Sequence, residues 1–235
     1  LKTLQSELSA LFNHAVRFYE LKSNPVVKAG LLGKGKAEEM LFWTKEEYLK
    51  FIEAVKDKPY SYQAFQILYW CGLRVGELLA LCVSDFNSNK KTLSITKSYQ
   101  RIKGRDVITE PKTSKSKRVI PLPELLTTEL EVYVGKLYGI MENDRLFHIT
   151  KSYLEKEINR GIKLSGVKKI RLHDLRHSHA SLLISKLGVQ PNLVAERLGH
   201  EKIQTTLSTY AHLYPNQSRE LADQLNELMD NLEED

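Results

Sequence analysis

HDLRHSHASLLISKLGVQPNLVAERLGHEKIQTTLSTY, residues 173–210, decides how the rest of the chain is read. It carries His173, Arg176, His200 and Tyr210 in helix-forming sequence. Asp174 to Leu187 is expected to form one helix closed by Gly188, since glycine takes the left-handed conformation that ends helices. Pro191 opens a second helix that ends at Gly199, and Ile203 to Tyr210 forms a third. Two imidazoles, a guanidinium and a phenol can bind a phosphate, move protons around it and attack it.

Working outward, the period of the apolar residues sets the other elements. Leu4, Leu8, Leu11, Ala15 and Phe18 place a stripe on a helix of Lys2 to Leu21, which Asn24-Pro25 ends. Gly30, Gly33 and Gly35 with Lys34 and Lys36 make a flexible basic connection. Thr44 and Glu47 form a capping box for a helix to Val55, and Ser61 to Cys71 is a second helix stopped by Gly72. Arg74 and Glu77 follow around a short apolar helix, Val75 to Leu81. A guanidinium in such apolar sequence needs an anionic partner, and Glu77, one turn away, is the simplest.

From Thr92 to Leu122 the period changes to two. Thr92 to Thr96, Val107 to Thr109 and Arg118 to Ile120 read as strands, with a turn at Lys103 to Asp106 and a loop at Thr113 to Lys117. Leu125 to Leu137 and Ser152 to Leu164 return to helical spacing. A last helix from Ser218 carries Leu221, Leu225 and Leu228. The expected fold class is mainly α (α+β): a helical domain over 41–214 with a small three-stranded antiparallel sheet. A linker at 29–40 joins it to 1–28, the terminal helix of a truncated helical domain, and 215–235 is a C-terminal helix. The chain begins inside a periodic pattern without methionine, so it is expected to be a fragment.

Hydrophobic residues make up 42% of the 235, enough for a core, and the net charge of +6 favours a polyanionic partner. The charge is uneven. Lys97, Arg101, Lys103, Arg105, Lys112, Lys115, Lys117 and Arg118 cluster in the middle, while every charged residue after Arg219 is acidic. The basic cluster without Lys112 is the candidate DNA-contact set, and the acidic tail is a separate surface. Cys71 and Cys82 lack CxxC spacing and sit in apolar sequence, so free buried thiols in a reducing compartment are expected. No membrane span or signal peptide is recognised, and a cytoplasmic protein is expected.

Three kinds of chemistry compete for these residues. His173, His177 and His179 lie close together, but no HExxH glutamate or nearby cysteine completes a metal site, so no metal and no cofactor is assigned. A helix-turn-helix over Pro191 to Tyr210 has suitable lengths for a non-catalytic DNA-binding regulator, yet Lys202 is its only nearby cation. Phosphoryl transfer needs arginines for the non-bridging oxygens, a base for the phenol and an acid for the leaving oxygen. Arg74, Arg176, His173, His200, Lys112 and Tyr210 supply those types.

Four spaced motifs carry a resemblance. Gly72-Leu73-Arg74-Val75-Gly76-Glu77-Leu78, Pro111-Lys112-Thr113 before Arg118-Val119-Ile120-Pro121-Leu122, His173-Asp174-Leu175-Arg176-His177, and Leu198-Gly199-His200 ten residues before Tyr210 resemble the motifs of tyrosine recombinases of the phage-integrase type. The resemblance covers Leu41 to Tyr214, and Leu1 to Pro25 resembles the end of that family's core-binding domain.

The resemblance implies a site-specific DNA recombinase, an integrase of a phage or conjugative element, working without metal or ATP. Tyr210 would form a 3′-phosphotyrosyl link, Arg74 and Arg176 would hold the phosphate, and Lys112 would protonate the leaving oxygen. His173 would be the base for Tyr210 and His200 a hydrogen-bond donor to the phosphate, with Glu77 orienting Arg74 and His177 bracing the pocket. The implied partners are double-stranded DNA recombination sites, a homo-tetramer on DNA whose C-terminal helices reach a neighbour, and an excisionase or host DNA-bending protein. A Xer-like recombinase resolving chromosome dimers is the alternative within the class.

Overall fold

The computed structural model describes residues 2–30, 40–111, 113–214, 222 and 225. The chain divides into two compact units, residues 1–40 and 41–235.

In the first unit, α1 (Lys2–Phe18) is followed by the one-turn α2 (Pro25–Lys28). Asn24 joins them. Its side-chain oxygen caps α2 at Val26 N (2.9 Å), and its amide donates to Ser9 O (3.0 Å) and Asn13 Oδ1 (2.8 Å) of α1. The helix expected to run to Leu21 stops at Phe18, before Glu20 turns to a φ of 54°. Pro25 starts a helix rather than merely ending one, because its fixed φ and missing N–H suit a first helical position. Leu4, Leu8, Leu11 and Phe18 stay exposed. The stripe finds no cover within this unit.

The second unit is built on α4 (Pro59–Cys71), which is buried on nearly every side. Around it pack α3 (Lys45–Glu53), α5 (Val75–Ala80), α6 (Glu124–Gly135) and α8 (Asp174–Ser185). Thr44 caps α3, and Glu47 answers it with the reciprocal bond of a capping box. Tyr48, Phe51, Phe65 and Tyr69 fill the space between α3 and α4. α7 (Lys151–Ser165) closes on α3, and α9 (Pro191–Leu198) and α10 (Ile203–Tyr210) complete the unit. Both thiols are free and buried, and burial pushes Cys71 up to about 12.

The sheet region departs from the expectation in its pairing. β1 (Phe86–Asn87), β2 (Thr92–Ile95) and β5 (Arg118–Pro121) form a three-stranded antiparallel sheet, with Leu93 facing Ile120. The segment read as the middle strand, β4 (Arg105–Thr109), instead pairs with β3 (Ser98–Ile102) in a separate hairpin. Lys103 and Gly104 turn it with φ of 49° and 79°, the two positive values of a tight hairpin turn. β3 was not expected because only Tyr99 of its five residues is buried, so it carries little apolar alternation.

Lys112, between β4 and β5, lies outside the described residues, as does 31–39 of the linker. Of the expected C-terminal helix only Ala222 and Leu225 are described, both helical and exposed. Among the described residues no helix is long and apolar enough to cross a membrane.

Gly161 of α7 sits against α3 so closely that a Cβ would fall 2.4 Å from the Phe51 ring and 2.6 Å from Val55, whereas one at Gly135 meets nothing within 4 Å. Gly161→Val should therefore lose about 2 kcal/mol or more by overpacking, while Gly135→Ala should gain up to about 1 kcal/mol from helix propensity. Thermal melts of the two variants beside the parent check both signs.

Candidate active site

The site forms where the end of α9 meets the turns before α5 and α8. Gly199 closes α9 in the left-handed region, with φ 67°. His200 N–H returns to Ala195 O and Gly199 N–H to Glu196 O, each at 2.9 Å. This glycine-closed ending leaves the carbonyls of Arg197, Leu198 and Gly199 at the negative end of the helix. Each meets a different arginine. Arg118 Nε donates to Arg197 O (2.8 Å), Arg176 Nη2 to Leu198 O (2.6 Å) and Arg74 Nη2 to Gly199 O (3.4 Å).

Arg176, on the first turn of α8, is 3% exposed, and its Nη1 also donates to Gly72 O (2.8 Å). Gly72 ends α4 with φ 65°, which sends the chain back so that Arg74 caps α5 in the same pocket. Burial first, and the neighbouring Arg74 second, weigh against the charge of Arg176. Arg74 keeps a partly exposed side chain, the open side of the pocket.

Glu77 holds the second layer. Its Oε1 accepts from Arg74 Nη1 (2.8 Å) and its Oε2 from the Arg74 backbone N–H (2.9 Å), as the i,i+3 spacing suggests. Arg118 also donates to both oxygens, Nη1 to Oε1 at 3.2 Å and Nη2 to Oε2 at 2.9 Å. Burial pulls the Glu77 carboxyl up, but the hydrogen bonds and charge of Arg118, joined by Arg74, overcome it and hold the group below its usual range.

The proton-handling groups stand beside the arginines. Tyr210, the last residue of α10, is 1% exposed, and its hydroxyl lies 2.7 Å from His177 Nδ1. Burial pushes the phenol up to about 12 against the pull of Arg176, so it is un-ionised at neutral pH. The sequence reading gave the phenol to His173, but the bond formed is with His177; the His173 ring stands edge-on to His177, with centroids 5.2 Å apart. Burial, His177 and Arg176 push His173 below its ordinary value. Burial and then the cations Arg176 and Arg74 bring His200 down to about 4, and its Nδ1 is 2.8 Å from Thr206 Oγ1. Burial also lowers His177. All three imidazoles are neutral at pH 7.

Arg74, Glu77, His173, Arg176, His177, His200 and Tyr210 are thus brought together. The seven candidate DNA contacts separate. Arg101, Lys103, Arg105, Lys115 and Lys117 are exposed, and Lys97 is paired with Asp85 at 2.9 Å. Arg118 corrects the expectation: its side chain is 6% exposed and turned inward, because Glu77 and the α9 carbonyl compensate its burial. Thr206 was not singled out, although it and Tyr210, four residues apart, are the two buried residues of α10. The helix-turn-helix reading weakens, since the exposed face of α10, Ile203, Gln204, Thr205, Leu207 and Ser208, has no cation for a phosphate. Among the described residues no cluster of three or more His, Cys, Asp or Glu is placed to hold a metal.

The chain is similar in sequence and in fold to known proteins. A Bacillus subtilis (strain 168) protein named ICEBs1 integrase is 32% identical over 240 residues, 96% of this chain and 65% of that protein. A Caldanaerobacter subterraneus subsp. tengcongensis protein named tyrosine recombinase XerC-like is 28% identical over 97% of this chain and 66% of its own length. The chain therefore spans about two thirds of each of these relatives. Among solved structures, the Tn1549 transposon integrase in complex with a circular intermediate DNA has a TM-score of 0.74 at 20% identity, covering 97% of this chain and 78% of that one, a likeness of fold. A crystal structure of XerA recombinase gives 0.62 at 25% identity over 83% of this chain and 66% of its own. The model of the phage integrase family matches residues 42–217, the segment that builds the whole pocket, and the chain belongs to that family.

Proposed function

We propose that the chain is the catalytic part of a site-specific DNA recombinase that cleaves and rejoins strands through a 3′-phosphotyrosyl intermediate. The observation that carries this is a buried phenol hydrogen-bonded to an imidazole beside two anchored guanidiniums. The phenol oxygen of Tyr210 attacks phosphorus, its proton passes to His177, and the bond from phosphorus to the 5′ oxygen breaks. Arg74 and Arg176 hold the non-bridging oxygens, and His200, fixed by Thr206, donates to the phosphate. His173, edge-on to His177, serves the same proton path. Lys112, from its place in the motif before β5, supplies the proton to the departing 5′ oxygen. The link keeps the phosphodiester energy, so a 5′-hydroxyl from a partner strand can reverse it without metal or ATP.

On this reading 41–214 is the catalytic domain, 1–28 the end of a core-binding domain and 29–40 the linker between them. The substrate is a pair of duplex recombination sites. The assembly is a cytoplasmic homo-tetramer joined through the 215–235 helices, with an excisionase or host bending protein as accessory. The DNA complex of the Tn1549 integrase, similar in fold, supports the DNA partner. The exposed Arg101, Lys103, Arg105, Lys115 and Lys117 suit the phosphate backbone. Integration of a mobile element is favoured over chromosome dimer resolution because the ICEBs1 integrase is the more similar of the two reported relatives.

A nicked duplex carrying the attachment junction of the element that encodes the chain should trap a covalent protein–DNA band on a denaturing gel. Tyr210→Phe should abolish the band, and His177→Ala should slow its formation about 10²-fold or more. Absence of a band with the parent protein on the correct junction sinks the proposal.

The rate of trapping should also show where the histidines titrate. Their folded values lie below the ordinary 6.5, so the neutral, proton-accepting form persists on mild acidification. The rate should therefore fall with acid only below the ordinary imidazole value, because burial lowers His177, the group that takes the proton. A half-maximal point near 6.5 in the pH–rate profile would contradict the burial of these rings.

A further inference from the structure

We infer that Arg118 is a positioning residue of the reaction, a side chain that keeps Arg74 aimed at the phosphate, and the group net positive, by sharing its carboxylate. The inference rests on the recombinase reading above. Three observations place Arg118 in this role rather than on the DNA surface.

First, its satisfaction is internal. Nε donates to Arg197 O, Nη1 to Ser116 O (3.1 Å) and Glu77 Oε1, and Nη2 to Glu77 Oε2. A guanidinium removed from water is tolerated only when its donors are so met. Its neighbours Lys115 and Lys117 remain exposed. Second, the space is built for it. A Cβ on Gly199 would lie 2.9 Å from Arg118 Nη1, so glycine there both closes α9 and leaves room for the guanidinium. Third, the charges count. Arg74 and Glu77 alone are a neutral pair, and a neutral pair attracts a phosphodiester weakly. With Arg118 on the same two oxygens, two cations share one anion, and the partly exposed Arg74 retains positive charge toward the open side. Arg118 also ties the loop that follows Lys112 to this group through Ser116 O, so the β4–β5 connection and the phosphate grip share one anchor.

The test measures single-turnover covalent trapping at saturating DNA, DNA affinity and thermal stability for the full chain. The variants are Arg118→Gln, Arg118→Lys, Arg74→Ala and the Arg74→Ala/Arg118→Gln double. Arg118→Gln should slow trapping by about 10²-fold. Affinity should change by no more than about threefold, against the uniform weakening expected of a lost phosphate contact. Arg118→Lys, which keeps the charge without the fork, should recover part of the rate. In the Arg74→Ala background Arg118→Gln should cost less than about threefold, because residues that act through one another are non-additive.

Equal losses in both backgrounds, a defect confined to affinity, or an unchanged rate overturns the inference. If Arg118→Gln does not fold, Arg118→Lys decides the matter: a parental rate overturns the inference, and a slowed rate at parental affinity supports it. No trapping by the parent protein overturns the recombinase reading instead, which separates the two failures.

Discussion

The last turn of an α-helix cannot satisfy its own carbonyls, and in this chain that deficit is met by arginines. α9 closes on Gly199 with two return bonds, and the three carbonyls from Arg197 to Gly199 each receive a guanidinium from a different part of the sequence. Side chains from β5, α8 and the α4–α5 turn are thereby held at one point by the partial negative charge of one helix end. Without the left-handed glycine the helix would end differently, and the arginines would lose the common reference that sets their spacing.

The same geometry decides which groups are ionised. Burial and clustered cations keep the imidazoles neutral, and burial keeps the phenol protonated against the pull of Arg176. The Glu77 carboxylate stays charged because two guanidiniums and a backbone N–H overcome its burial. A site rich in positive charge with neutral proton carriers suits an anionic substrate more than a cation or a metal. Gly72 serves the fold and the site together. It ends α4, and a Cβ there would come within 2.5 Å of the His179 ring.

What the sequence shows directly is what depends on neighbours along the chain. The Thr44–Glu47 capping box, the glycines after α4 and α9, and the helical period of α7 and α8 are local features, and the helices lie within a few residues of where they are expected. Strand pairing depends on residues far apart, and β4 chose β3 over β2 because a tight Lys103-Gly104 turn joins them. Arg118 was placed with the surface cations because a count of charges does not reveal burial. The distant Glu77 carboxylate, 41 positions away, is what draws it inward. Arg74, Arg176, His200 and Tyr210 could be named from motifs, but the hydrogen bond between the phenol and His177 depends on how the end of α10 meets α8.

Tyr210 is almost sealed from solvent. On the proposed chemistry the oxygen that attacks is also the oxygen that later carries the DNA end, so whatever walls off the phenol also walls off the ester. As long as that wall stands once DNA is bound, water is a poor competitor for the phosphorus, and the acceptor that reaches it is one the duplex itself delivers. The difference between a recombinase and a nuclease would then be kinetic: the same nucleophile and the same arginines would cut DNA irreversibly if the pocket were wet. On that chemistry, dryness around one phenol would keep the broken strand recoverable.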